Sequence, residues 1–492
     1  MAEKYLEREV KLDVDAAFRL PSLSDLVPPG CTLEAVVVPI DSIYFDTAQH
    51  DLMRANVTLR RRHGDPSDTG WQLKVPTKDA RTELRLPPAE RAAVPKELRD
   101  LTAGLRRGRS LRQVACIHTE RKAHRLLDVS GAVLVEVADD EVRAATLGAN
   151  PVSSKWREVE VELGAGDGKL IRAIVNRLRK AGAHRSACSS KLARAMAEQV
   201  AREAGPTGRV SGADCSSVGD LVLGYLLDQR QDLLDGDLEL RGGSDVVHRT
   251  RVAARRFRST LRTFGVFDAE RAAALEAELA WYAGLLGAVR DRDVLRVHLS
   301  GLIAGLPDDL VPPAAASALE QYLIEEREHH RRALLRALNG RRYFALLDAI
   351  DQWLAEPPFT EAAQAAPAQA RAWARRAERE LRKRLRVVTA GNGDPERMHR
   401  ARKAAKRARY AIELAGPVLT PKLARRTIKQ TTAIQDTLGE FQDSVVACET
   451  LLRLGARVGT TPNEHGFTYG LLYALELHQA EQSRQRIIAQ LA

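Results

Sequence analysis

Aromatic residues are scarce, at 5% of the 492 residues. Proteins that hold unpaired bases stack them on aromatic rings, so the deficit weighs against a single-stranded nucleic acid partner. Cysteine is scarcer still. Cys31, Cys116, Cys188, Cys215 and Cys448 are scattered, odd in number and nowhere spaced C-x-x-C. That pattern argues against a disulfide framework and a cysteine zinc site, and reads as buried thiols in a reducing cytoplasm. No run of about 18 apolar residues occurs, so no membrane span is expected. The opening MAEKYLEREV carries no apolar core of a signal peptide. What the chain has is positive charge, +11 net with a pI near 9.5, which favours a polyanion: nucleic acid, polyphosphate or an acidic surface. Its length is more than one ordinary core accommodates.

The chain changes texture part-way. Residues 1–202 alternate with period two and carry turn signals such as HGDPSDTG at 63–70. From 218 onward, Ala/Leu/Arg/Glu segments repeat with helical spacing. Residues 203–217, rich in Gly and Ser, read as a linker. The stretch AEPPFTEAAQAAPAQA, 355–370, divides the helical part into halves of about 218–354 and 371–492.

The strands of the first half are unusual in their charge. In YLEREVKL, Glu7, Glu9 and Lys11 share one face of a strand. Arg60 and Arg62 are in phase, as are Gln72 and Lys74, Arg81, Glu83 and Arg85, and Arg121 and Arg125. Glu136 and Asp140 alternate with Val135 and Val137, and Glu158, Glu160 and Glu162 with Val159, Val161 and Leu163. A wet sheet face would alternate in the same way, but it would mix its signs. Here bases and acids are largely segregated by strand. Lines of carboxylates repel one another and need cations to offset them. Hard divalent cations take oxygen ligands and share them with phosphates, and Arg grips phosphate in a fork.

These residues resemble the CYTH domain, the triphosphate tunnel metalloenzymes. The opening Glu7-x-Glu9-x-Lys11 carries the likeness, and further landmarks follow in order: YFDT at 44–47, LRRR at 59–62, LKVP at 73–76, VEVADDEV at 135–142, EVEVEL at 158–163 and SKLARA at 190–195. The resemblance implies an α+β protein that begins with an eight-stranded antiparallel β tunnel flanked by helices. It implies hydrolysis of a triphosphate with Mg²⁺ or Mn²⁺. Glu7, Glu9, Glu160 and Glu162 would hold metal, assisted by Glu136, Asp140 or Glu158. Glu7, Glu9 and Lys11 would be central to catalysis. Lys11, Arg60, Arg62, Lys74, Arg81, Arg121 and Lys191 would grip phosphate. Glu83 has a compatible phase and no firm role.

The helical half repeats itself. HRTRVAARRFRSTLR begins at His248 and HRARKAAKRARYAIE at His399, matching Arg251 to Arg402, Arg255 to Lys406, Arg256 to Arg407 and Arg258 to Arg409. Each copy continues to a Leu-Gly, in LGAVRDRDV at 286–294 and LGEFQDSVV at 438–446. On a helix His248, Arg251, Arg255, Arg258 and Arg262 fall on one stripe. No acid interrupts 246–267 or 397–412, although like charges at that spacing destabilise a helix. A face built for a polyanion explains the pattern, with each histidine either structural or a pH-dependent phosphate contact.

The duplicated motif is similar to the CHAD domain, which implies two pseudo-symmetric four-helix bundles binding inorganic polyphosphate through these basic residues. Arg290, Asp291 and Asp293 would brace the basic helices. In the second copy Gln442 and Val445 depart from the pattern. The leading expectation is a metal-dependent triphosphatase of the cytoplasm, alongside polyphosphate granules. Inorganic triphosphate is the default substrate because it needs no base pocket. The alternatives are a polyphosphate-binding protein without turnover, an adenylate cyclase or a thiamine triphosphatase. Nucleic acid is a less favoured partner, no membrane is expected, and oligomeric state stays open because amphipathic helices serve bundles and dimers alike.

Overall fold

The computed structural model describes residues 3–64, 69–76, 81–88, 93–203, 215–307, 310–390, 394–458 and 466–491, without the side chains of 3–7, 81, 198–203, 457–458 and 490–491. Two compact units divide between Thr207 and Gly208.

The first unit holds ten antiparallel strand segments: β1 (Glu3–Glu7), β2 (Glu9–Val14), β3 (Thr32–Asp46), β4 (Thr58–His63), β5 (Gly70–Pro76), β6 (Arg81–Leu86), β7 (Arg112–Leu127), β8 (Val133–Thr146), β9 (Ser153–Leu163) and β10 (His184–Arg185). Their order is β1-β6-β5-β4-β3-β7-β8-β9-β2-β10. Only Arg8 separates β1 from β2. A single N-terminal strand therefore pairs with β6 through its first half and with β9 through its second. The sheet closes on itself as a tunnel, and YLEREVKL is the seam. With β1 and β2 taken as one, nine strands are present among the described residues, not the expected eight. The extra one is β10, whose two residues pair with Leu12 and Asp13 and are too few to show any period.

The register keeps one phase around the tunnel. Lys11 lies opposite Glu160, Glu158 opposite Asp140, Asp140 opposite Arg121, Arg60 opposite both Tyr44 and Gln72, and Lys74 opposite Glu83. The apolar alternates cover the outside. Two short helices, α1 (Asp51–Arg54) and α2 (Lys96–Leu101), sit in connections between strands. Longer α3 (Gly168–Lys180) buries Ile174 and Leu178 against Leu12, Leu126, Val135, Val137, Val159 and Val161. Its first turn is capped by the Asp167 carboxylate, which accepts from the amides of Lys169 and Leu170. Another helix, α4 (Lys191–Glu203), lies instead on the inner face, where Leu192, Ala195 and Met196 pack with Ile117, Val142 and Tyr44 in the phase of Arg121, Asp140 and Arg60. The barrel is charged within, apart from the patch that α4 covers, and apolar without beneath α3. The cysteines correct an expectation: none is fully buried, none is in a disulfide, and Cys116 is exposed. Strand alternation puts it on the face opposite its buried neighbours Ala115 and Ile117.

The second unit is all helical: α5 (Val218–Arg241), α6 (Val247–Thr263), α7 (Ala269–Ala304), α8 (Pro313–Leu338), α9 (Arg341–Ala355), α10 (Ala370–Ala390), α11 (Pro395–Ala415), α12 (Pro421–Val458) and α13 (Gly466–Leu491). Ser217 and Asp220 form a capping box at the start of α5. The duplication matches α5–α8 to α10–α13, with α9 added to the first copy. The copies share a core, in which Leu295 and Leu299 of α7 and Leu319 and Leu323 of α8 meet Leu451 of α12 and Leu472 of α13. Helix α7 is, among the described residues, the one long and apolar enough to cross a membrane. Its buried Leu275, Leu279, Leu286, Val289 and Leu299 account for that composition within the bundle.

Candidate functional site

Three carboxylates converge inside the tunnel. Asp140 on β8 and Glu158 and Glu160 on β9 each bring an oxygen within 4.8 Å of the others. Three cations are bonded into them. The Lys191 ammonium, from the first turn of α4, reaches Asp140 at 2.9 Å, Glu158 at 2.8 Å and Glu160 at 2.8 Å. Arg121 forks onto Asp140, its Nε and Nη2 at 2.9 and 2.8 Å, and gives Nη2 to Glu160 at 2.7 Å. Lys11 donates to Glu160 and lies 3.4 Å from Glu9. Burial opposes the charges of Lys11, Arg121, Asp140, Glu160 and Lys191, and their partners outweigh it. Burial works to raise Glu160, yet Lys11, Lys191 and Arg121 hold it well below the usual carboxylate range. Burial likewise works to lower Lys191, yet Asp140, Glu160 and Glu158 raise it.

A basic wall faces this cluster. Arg60 donates Nε to Gln72 at 2.6 Å and Nη1 to the Tyr44 hydroxyl at 3.3 Å. Burial first, then the like charges of Arg60 and Arg121, push the Arg62 guanidinium down to about 9. Arg121 thus stands between the two walls, bonded to the acids and crowded against the bases. Beyond it Glu83 lies 3.7 Å from Lys74 and 3.2 Å from Arg85. Burial works to raise Glu83, but Lys74, Arg60 and Arg85 hold it down at about 2.

Three oxygen donors of this kind suit a hard divalent cation such as Mg²⁺ or Mn²⁺. Asp140 and Glu158, given an assisting part by the sequence, converge with Glu160 closely enough to hold one. Glu136 is instead drawn to Arg125 at 2.7 Å and Arg121 at 3.4 Å. Glu162 lies opposite Glu9 and Glu136 in the register. Glu7 and Arg81 lie opposite each other across β1 and β6, and their side chains are outside the described residues. Sequence reasoning missed Tyr44, which orients Arg60. The Asp46 of YFDT is structural: it accepts from the amides of Thr47, Leu52 and Met53 at 2.7 to 2.9 Å.

In the helical unit the basic stripe splits. Arg251 and Arg255 of α6 gather with Arg402, Lys406 and Arg409 of α11. Burial first, then Arg255, Arg402 and Arg251, push the Lys406 ammonium down to about 6. Arg255 is lowered too, by burial and then by Arg251, Arg402 and Arg409, against the help of Tyr410. Exposed His248 and His399 flank the cluster. Partial burial and neighbouring cations lower both, Arg290 first for His248 and Lys403 for His399. Arg258 and Arg262 leave the stripe for Glu276 on α7. Arg256 donates to Glu413 at 2.8 Å, whereas its counterpart Arg407 faces Arg262 and Arg384. Asp291 does brace Arg251, at 2.8 Å, but Asp293 holds Arg327 of α8 instead. The Leu-Gly pairs acquire a purpose. A Cβ on Gly287 would meet Arg251 at 3.1 Å, and one on Gly439 would meet Arg402 at 3.4 Å. Both glycines let the first motif arginine lie across the neighbouring helix.

The CYTH domain family matches residues 6–196, and the CHAD domain family matches residues 224–452. The chain is a CYTH–CHAD protein. Uncharacterized proteins from two Mycobacterium tuberculosis strains share 35% identity with this CYTH–CHAD chain over 515 residues, spanning 99% of it and 96% of each relative. Its helical unit is similar to the CHAD domain from the plant Ricinus communis, at 24% identity and TM-score 0.45 over 56% of this chain and 92% of that one. The tunnel is similar to a putative adenylyl cyclase from Hippeastrum described as having a dominant triphosphatase activity, at 19% identity and TM-score 0.23 over 39% of this chain and 96% of that one.

Proposed function

We propose that the CYTH tunnel hydrolyses inorganic triphosphate with Mg²⁺ or Mn²⁺, and that the CHAD unit binds inorganic polyphosphate through the cations gathered from α6 and α11. One observation carries the first part: Arg121 joins a wall of crowded guanidiniums to three converging carboxylates. Arg60, Arg62, Lys74 and Arg121 take the phosphate oxygens, and Gln72 and Tyr44 hold Arg60 in the orientation that does so. Asp140, Glu158 and Glu160 are the residues to hold the cation. When bound, it offsets charge on the transferred phosphoryl group. Fixed cations that are themselves buried act on that charge more strongly than they would in water.

The test is phosphate release from inorganic triphosphate, ATP and thiamine triphosphate with Mg²⁺, Mn²⁺ or chelator. Metal-dependent release is expected, greatest for inorganic triphosphate. Absence of release from all three would leave a binding protein, and cyclic AMP formed from ATP would make it a cyclase.

For the CHAD unit, Gly287→Ala separates binding from folding. Alanine is the better helix former by about 1 kcal/mol, so the melting temperature is expected to hold or rise. The methyl crowds Arg251, so polyphosphate affinity is expected to drop several-fold in a titration. An unchanged affinity would remove Arg251 from the binding surface.

A further inference from the structure

The position of Lys191 has a consequence for how the tunnel takes up its cation. Its ammonium touches the same three carboxylates that converge closely enough to hold a metal, at 2.8 to 2.9 Å from each. Mg²⁺ requires oxygens at about 2.1 Å. The carboxylates would have to close in by about 0.7 Å, onto the point the ammonium occupies. Charge opposes sharing as well. A divalent ion placed among Asp140, Glu158 and Glu160 would sit against the Lys191 ammonium, with Arg121 and Lys11 bonded to the same carboxylates.

The helix that carries Lys191 is not free to withdraw. Leu192 and Met196 are fully buried against the sheet, Ser190 caps the helix by accepting from Ala193, and Arg194 is bonded to Asp13 and lies over the Trp156 ring at 5.1 Å. The freedom lies in the four-carbon stem of the lysine. A triphosphate brings new oxygens for that ammonium and negative charge to offset the added cation.

We infer that Lys191 is an internal stand-in for the divalent cation: lysine and metal compete for Asp140, Glu158 and Glu160, and metal binds tightly only together with a triphosphate that takes over the lysine. The inference rests on the metal reading given above. It makes the metal–triphosphate complex the species the tunnel accepts, and it makes Lys191 the positioning residue that couples the two.

Mn²⁺ binding, followed by the electron paramagnetic resonance of the free ion, tests it. Wild type and Lys191→Met are compared with and without a non-hydrolysable methylene analogue of triphosphate. Wild type is expected to bind Mn²⁺ weakly alone and at least tenfold more tightly with the analogue. Lys191→Met is expected to bind at least tenfold more tightly than wild type without the analogue and to gain little from it. Lys191→Arg keeps the charge and is expected to stay weak. A Lys191→Met protein that binds Mn²⁺ no more tightly than wild type overturns the inference while leaving the metal reading intact. No Mn²⁺ binding by any of them, with or without the analogue, removes both. A measurement on the wild-type chain needs no variant to fold: saturating Mg²⁺ alone should expose Lys191 to acetylation, read by mass spectrometry. Protection that persists at saturation is evidence against the exchange.

Discussion

Glu160→Gln is expected to lower phosphate release from inorganic triphosphate by about a hundredfold or more, the scale of losing one preorganised charge contact at a reacting phosphoryl group. The residue is the hub of the tunnel. Lys11, Arg121 and Lys191 all bond to it, and it is one of the three converging carboxylates. The amide keeps the shape and removes the charge, so the loss tests electrostatics with little change of volume. A second readout follows from the same bonds. Leaving buried cations with a missing partner costs roughly 3–5 kcal/mol, so the variant is expected to melt well below wild type. Triphosphate supplies the lost negative charge and binds only the folded tunnel, so it should return part of that difference. Wild-type turnover in Glu160→Gln would take this cluster out of the chemistry.

Polyphosphate affinity is expected to strengthen as pH falls from 8 to 6. The Lys406 ammonium, at about 6 in the free protein, is mostly uncharged at pH 8. A bound polyanion favours the charged form and raises it, so the complex carries more protons than the free protein between the two values. Binding takes up a proton in that window, gains as pH is lowered through it, and levels off once free Lys406 is itself charged. Lys406→Arg, charged throughout, should lose that part of the dependence and keep only what His248 and His399 contribute near and below pH 6. Arg255→Ala with Lys406→Ala is expected to weaken long-chain binding by at least about tenfold at neutral pH and low salt, and to reduce the salt slope by about one to two. Triphosphate turnover should be nearly untouched. Calorimetry in buffers of different ionisation enthalpy reads the proton directly, and a pH-independent affinity in wild type would mean that Lys406 takes no part.

Much of this was legible because both halves repeat a simple rule. Strand alternation marked the inner face of the tunnel, and the doubled motif marked α6 and α11. The rest depended on what lies across space. Spacing treats Glu158, Glu160 and Glu162 alike; Asp140 across the register and Lys191 from α4 are what favour the first two. Helical periodicity puts Arg251, Arg255, Arg258 and Arg262 on one stripe, but Glu276 on the next helix captures the last two. Gly287 and Gly439 carry no signal of their own, since their use appears only when an arginine lies over them. The two-residue β10 is too short to have a period.

The seam strand also sets the order in which the barrel can be built. Lys11 and Glu160 are 149 residues apart in the chain, while β7, β8 and β9 are near neighbours in sequence that can zip as successive hairpins. Bringing so distant a pair together costs chain entropy that local pairing avoids. Made before β9, the seam strand cannot complete its pairing until β9 has followed, and meanwhile the open sheet presents two unpaired edges. The converging carboxylates of β8 and β9 meet early, but Lys11 reaches Glu160 only at that closing step. A chain that has not yet made β9 and α4 therefore holds no complete site, and any ligand that spans the seam acts as a clasp on the closed form.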